Sequence, residues 1–306
     1  MISHFGGQPK RRGGKIAYPM ARLSALLDVG TGLIWQSSLQ PYALGEQVAA
    51  AEHLSALPTN ALTLYDRGYP SFFLMALHRQ HGQNFCMRMT RKFSLQIDAL
   101  FASQSAGRII TLTANPDSVK LCREHGVDAS PIRLRLARVE LPTEVEILAT
   151  SLTDEVRYPE QDFGALYHWR WRIEECFKHL KSRLQLENWS GKSALSVKQD
   201  VYARVLSSNL VRVITYLAQQ RLDQQHAEQI AARNTRRKRQ INQTHALHCL
   251  RHVLLAYLLD PEPETLERLV QKVLKKTHAV RKHRQFARKK TLGKSNRYPM
   301  AYKQTA

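Results

Sequence analysis

The order in which apolar periods follow one another most constrains what this chain can fold into. ARLSALLDV and LIWQSSLQP, within residues 21–41, read as two strands joined by Gly30-Thr31-Gly32, a link suited to a tight hairpin. EQVAAAEHLSAL has helical spacing and strong helix formers. ALTLYD is a short apolar strand ending in Asp66, and Arg67-Gly68-Tyr69-Pro70 breaks it. SFFLMALHRQH is a helix for which Ser71 is the N-cap, and NFCMRM is the next strand. Strand, strand, helix, strand, helix, strand over 21–90 predicts a mixed α/β layer.

Two further changes of period follow. RIITLTA, IRLRLARVEL and EVEILATSL alternate apolar and polar residues, with NPDS, DASP and PTE between or beside them, so 91–155 reads as a β-rich insertion. From Phe163 the pattern is helical, over 163–186, 195–221, 223–234, 244–259 and 263–276. The chain thus divides into a basic N-terminal segment (1–17), the first part of a core (18–90), the insertion (91–155), the second part of the core (156–222) and a helical basic region (223–306).

With 43% apolar residues the 306-residue chain can bury a real core, which excludes global disorder. No apolar run approaches the roughly 18 residues a membrane span needs, and MISHFGGQPKRRGG has no apolar h-region. Cys86, Cys122, Cys176 and Cys249 form no CxxC pair, which fits a reducing compartment. A cytoplasmic protein with no membrane partner is expected. Its 46 Lys and Arg against 25 Asp and Glu leave +21, a charge that calls for a polyanionic partner, with nucleic acid first. The bases come in blocks: Lys10, Arg11, Arg12, Lys15 and Arg22; Arg233 with Arg236 to Arg239; and the acid-free tail after Glu267. Such blocks neutralise phosphates and release counterions.

Two acids carry the candidate chemistry. Asp66 sits at the C-terminal end of a strand, where open α/β sheets place ligand groups, although a carboxylate there also caps turns. Glu174 lies in ALYHWRWRIEECFKHLKSRL. On one continuous helix at about 100° per residue, Tyr167, Arg170, Glu174 and Lys181 share a narrow stripe with Lys178 at its edge. Leu166, Trp169, Ile173, Phe177, Leu180 and Leu184 would form the adjoining core face. A Glu174–Lys178 surface pair accounts for part of this. A carboxylate flanked by cations on a rigid helix also suits phosphodiester chemistry, the acid holding a divalent metal and the bases holding the strand.

The spacing Tyr167-x2-Arg170-x3-Glu174-x6-Lys181 resembles the Y-R-E-K signature of DDE-type bacterial insertion-sequence transposases of the insertion sequence 4 family. Asp66-Arg67-Gly68-Tyr69 looks like that family's second-aspartate segment, and YPMARLSALLDVGTGLI resembles the strand pair before it. The tail RKHRQFARKK with RYPMAYK is also similar. The resemblance implies an RNase H-like catalytic core with a β-strand insertion and a nucleoid-associated bacterial enzyme. It implies binding of terminal inverted repeats and target DNA as a homodimer, and strand cleavage and transfer with two Mg²⁺ ions. Carried over by position, Asp66 and Glu174 are catalytic metal ligands, and Tyr167, Arg170 and Lys181 hold DNA phosphates. The family's first aspartate has no counterpart here: Asp28 falls within the second-strand match and reads as structural. The chain is therefore expected to be N-terminally truncated and impaired in cleavage. The alternative is a non-catalytic DNA-binding fragment that occupies element ends or inhibits intact copies.

Other motifs carry less. His245, His248, Cys249 and His252 share a helix face that could ligate zinc, although without a carboxylate or a second Cys cluster a core or DNA-facing helix accounts for it better. Trp169 is expected in the core, and Trp171 borders the stripe.

Overall fold

A computed structural model describes residues 2–9, 16–103, 105, 107–142, 144–231, 239–260 and 262–280. Lys10 to Lys15, Arg233, Arg236 to Lys238 and the basic tail from 281 lie outside the described residues. The chain forms two compact units, one of Met1–Val29 with Trp35–Glu175, the other of Gly30–Ile34 with Cys176–Ala306.

The first unit opens with helix α1 (Ile2–Phe5) and an antiparallel pair, β1 (Gly7–Pro9) and β2 (Ile16–Pro19). The expected hairpin is present: β3 (Ala21–Leu27) pairs with β4 (Ile34–Pro41), and Gly32 takes φ +77°, a conformation open to glycine at little cost. After α2 (Glu46–Ala51) comes a five-stranded sheet in the order β5-β6-β9-β8-β7. Its strands are β5 (Leu62–Tyr65), β6 (Asn84–Arg88), β7 (Arg108–Leu112), β8 (Ile132–Glu140) and β9 (Val145–Thr150). β5 and β6 run parallel, joined by α3 (Phe72–Gln80), which starts where Ser71 Oγ accepts from the Leu74 amide at 3.2 Å. The other pairs are antiparallel.

The β-rich insertion is thus no separate layer. β9 lies antiparallel to β6, so all three period-two strands extend the sheet that carries Asp66. Two helices interrupt them, α4 (Leu95–Ala102) and α5 (Pro116–Glu124). The second begins in NPDS, read from the sequence as a turn: Asn115 caps it, accepting from Ser118 N at 2.8 Å, and Pro116 sits where a helix has an amide to spare.

Alternation along the central strands separates two cores. Phe85 and Met87 of β6, Leu134 and Leu136 of β8, and Ile147 and Ala149 of β9 pack with α3, α4 and α5 residues on one face. Cys86, Ala137, Val139 and Leu148 face Phe163 and Tyr167 of α6 (Asp162–His168) on the other. Burial on both sides explains why these strands are so apolar.

The second unit is helical. α7 (Trp171–Ser182), whose residues up to Glu175 belong to the first unit, leads into α8 (Ala194–Ala231), which runs through the break expected near residue 222; α9 (Gln243–Leu259) and α10 (Pro263–Leu274) follow. A short antiparallel pair, β10 (Arg239–Ile241) with β11 (Thr277–Ala279), ties the ends of this region together. Arg221 grips Glu267 of α10 through two bonds of 2.5 and 2.6 Å. Gly30–Ile34 joins this unit through Asn209, whose side-chain amide bonds both the amide and the carbonyl of Ile34 at 2.9 Å.

Candidate active site

Strand register assembles the polar end of the sheet. Tyr65 pairs with Met87, so the next residues, Asp66 and Arg88, leave the sheet side by side. Arg88 pairs with Leu148, which brings Glu146, two residues earlier on β9, to the same end. All three share the parity of Leu64, Cys86 and Leu148, whose side chains face α6. The carboxyl end of parallel strands is where such sheets bind ligands.

The turn after β5 fixes Asp66. Its Oδ1 accepts from the Arg67 amide at 2.7 Å, and its carbonyl accepts from the Tyr69 amide at 3.1 Å. Gly68 allows α2 to approach: a Cβ there would sit 3.3 Å from Glu46 Oε2, and Gln47 Nε2 donates to the Gly68 carbonyl at 3.4 Å. Glu46 also holds Arg22 at 2.5 Å. Burial, with Glu46 nearby, raises the Tyr69 phenol above its usual range.

The signature segment departs from one continuous helix. α6 ends at His168 and α7 begins at Trp171. Between them the amides of Trp169, Arg170, Arg172 and Ile173 donate to carbonyls three residues back, at 3.0–3.2 Å. Three residues per turn eclipses side chains at i and i+3. Arg170 therefore rides over Tyr167, guanidinium carbon 5.8 Å from the ring centre, and lies 5.1 Å from the Trp171 ring. The same tightening turns Trp169 outward, so it is 52% exposed rather than in the core. The stripe expected of Tyr167, Arg170, Glu174 and Lys181 is correspondingly divided. Tyr167 is buried and its hydroxyl donates to the Tyr65 carbonyl at 3.1 Å, one residue before Asp66. Burial raises its pKa.

Arg170, itself buried, is the hub. Its Nη1 donates to Glu174 Oε1 at 2.8 Å, and it interacts electrostatically with Asp66. Burial works against its charge, but the Glu174 bond and the surrounding Tyr167 and Asp66 outweigh that and raise its pKa. Its Nε is buried without a hydrogen-bond partner. Lys181, in the second unit, is exposed and pairs with Glu187 at 3.0 Å.

Glu146 is a member the sequence reading missed. It is 8% exposed and holds Arg88 Nη1 at 3.0 Å, while Glu144 takes Arg88 Nη2 at 2.9 Å. Burial raises its pKa, opposed by Arg88 and Arg170 and supported by Glu144 and Asp66. A partial signal was available: in EVEILATSL the glutamate at 146 shares a face with Leu148, although alternation alone does not say that this face is covered.

Asp66 and Glu174 offer the hard oxygen donors that magnesium prefers. Among the described residues, however, no group of three or more His, Cys, Asp or Glu is placed to hold a metal ion. That applies equally to His245, His248, Cys249 and His252. There Cys249 Sγ meets His245 Nε2 at 3.5 Å, and His248 stacks edge-on with His252. No helix among the described residues is long and apolar enough to cross a membrane.

Residues 3–210 match the family described as Transposase DDE domain. The chain belongs to that family. Over 202 residues it is 24% identical to the transposase InsG for insertion sequence element IS4 of Escherichia coli (strain K12), covering 65% of this chain and 45% of that protein. Over 68 residues it is 35% identical to the putative transposase InsZ of the same organism, covering 22% of this chain and 23% of that one. The matched stretches thus span less than half the length of either relative. This DDE-domain protein is of the insertion sequence 4 kind, and its mixed sheet flanked by helices is the RNase H-like arrangement expected from the signature. In general such domains use divalent metal ions to cut and transfer DNA strands.

Proposed function

We propose that this chain acts at the ends of an insertion sequence, with Asp66 and Glu174 as catalytic carboxylates for DNA strand cleavage and transfer. The observation that carries the reading is Arg170. One buried guanidinium bonds the helix acid, senses the strand-tip acid and leaves a donor without a partner. A cation so placed balances two carboxylates and gives a phosphodiester a positive anchor beside them.

Each residue then has its own task. Asp66 and Glu174 would be magnesium ligands; when bound, the metal activates a nucleophile and steadies the leaving oxygen. The described residues complete no three-ligand set for such an ion. Arg170 and Lys181 hold phosphates. Tyr167, buried and bonded to the Tyr65 carbonyl, acts as a positioning residue that locks the signature segment to the strand before Asp66. DNA partners are the terminal inverted repeats and the target, engaged by two copies together.

The test uses the full chain, Mg²⁺ and duplex oligonucleotides bearing the inverted repeats that flank its gene. Cleavage at the repeat end that Asp66→Asn and Glu174→Gln each lower by about a thousandfold or more, with duplex binding retained, supports the reading. Retained cleavage in either variant overturns it. Binding without cleavage in the unaltered chain favours the occupying, non-catalytic role.

A further inference from the structure

Next to Asp66 the first unit holds a cavity of about 440 Å³ that the reading above leaves unused; Arg67, Arg88, Arg91, Phe101 and Glu144 are among its walls. Two of its three guanidiniums are already engaged. Arg91 lies 4.8 Å from the Phe101 ring centre and 3.4 Å from Asp98. Arg88 is held by two carboxylates of unequal standing, Nη1 by Glu146 at 3.0 Å and Nη2 by Glu144 at 2.9 Å. Glu146 stands within β9, paired with Val139 of β8, and its side chain is 10% exposed. Glu144 stands in the segment between β8 and β9, where its carbonyl accepts from the Leu141 amide at 2.9 Å, and its side chain is 53% exposed. The backbone of Arg88 is itself fixed: it pairs with Leu148, and the next amide, that of Met89, donates to the Ile147 carbonyl at 2.8 Å.

We propose that this cavity takes one phosphate of the DNA strand on Arg88, with Glu146 as the positioning residue that aims the guanidinium and Glu144 as the carboxylate that the phosphate displaces. The proposal rests on the DNA reading above and adds to it how the strand is admitted. Charge requires an exchange: Arg88 with two carboxylates sums to 1 − 2 = −1, so an anion enters only as one of them leaves. The two differ in what leaving costs. A buried carboxylate drawn from its arginine is left desolvated and unpaired, whereas an exposed one returns to water. Glu146 is therefore the fixed half of the clasp. Glu144 is the yielding half, because ion pairs as exposed as this one are held weakly. A phosphodiester offers two non-bridging oxygens to a guanidinium fork, much as a carboxylate does, so it takes the place of Glu144 without moving Arg88. Arg67 and Arg91 in the same walls keep the cavity positive once Glu144 has turned away.

Fluorescence anisotropy of the full chain with a labelled duplex, in EDTA so that no strand is cut, reads this directly. Two duplexes serve, one bearing the flanking inverted repeats and one of scrambled sequence, because a phosphate contact carries no sequence information. Glu144→Gln is expected to tighten binding to both about fivefold at about 50 mM salt, with the gain fading by about 300 mM. In an Arg88→Lys background, where an ammonium held by Glu146 has no fork to offer, that gain falls away. Glu146→Ala also removes a negative charge, yet it is expected to weaken binding about tenfold, and Glu146→Asp to recover part of the loss. Should Glu146→Ala disturb folding, Glu144→Gln with and without Arg88→Lys still decides. Tightening by both carboxylate substitutions would reduce the effect to net charge and overturn the proposal. No tightening by Glu144→Gln, or a gain that survives Arg88→Lys, overturns it as well. Binding is read rather than strand cutting, so a chain that binds in this way but does not cut sinks only the catalytic reading.

Discussion

At the scale of the residue, the hydrogen bonds of Tyr65 link the core to Asp66. Its carbonyl accepts from Tyr167, and its hydroxyl meets His78 Nε2 at 2.9 Å beneath the sheet. His78 is fully buried, and burial pushes its pKa down to about 3. The unfolded chain takes up this proton near pH 6.5 while the folded one does not, so stability present at neutral pH is lost as pH falls from 6.5 toward 3. Between pH 7 and pH 5 this amounts to about 2 kcal/mol. Urea unfolding at the two pH values should show that loss, and His78→Gln should flatten it; an equal slope in the variant removes His78 as the cause. Tyr167→Phe, which orphans a buried carbonyl, should cost about 1–3 kcal/mol in the same assay. Asp66 was legible as the acid ending an apolar run, and Glu174 as the acid of a spaced motif. Glu146 was hidden because a glutamate in an alternating strand ordinarily faces water, and only the sheet's second layer turns its side inward.

At the scale of the element, most strands and helices were readable from period and punctuation, as the Ser71 cap and the Gly32 turn show. The break between α6 and α7 was not. Residues 162–182 contain no proline, and their only glycine, Gly164, lies five residues before the break, so local propensity gave no warning. The long-range contact at the break is that of Tyr167, which anchors to the Tyr65 carbonyl of β5, while the Arg170–Glu174 pair is a local i, i+4 bond that spans the break and ties Arg170 to α7. Arg170→Lys should expose that dependence, because an ammonium cannot lie flat near both the Tyr167 and Trp171 rings while bonding Glu174. A stability loss of about 1 kcal/mol is expected by denaturant titration. Cleavage should fall more steeply than duplex binding. Equal falls in both would mean the guanidinium serves binding alone.

At the scale of the whole molecule, charge divides the work differently from shape. The carboxylates and Arg170 belong to the first unit, while much of the positive charge sits in sequence outside the described residues. Residues 281–306 hold nine Lys and Arg and no acid, so removing them takes the formal charge from +21 to 21 − 9 = +12. If that tail contacts phosphates, its deletion should reduce the slope of log affinity against log salt by several, up to about eight for all nine contacts. Cleavage, which the proposal above assigns to Asp66 and Glu174, should still respond to Asp66→Asn in the shortened protein. Lys181→Ala, by contrast, removes one cation already tethered to Glu187, and its slope should change by no more than about one. Filter binding of a repeat-bearing duplex from about 50 to 300 mM salt measures both. A tail deletion that leaves the slope untouched would place the phosphate contacts on the folded units, and Lys181 with Arg170 would then have to account for them.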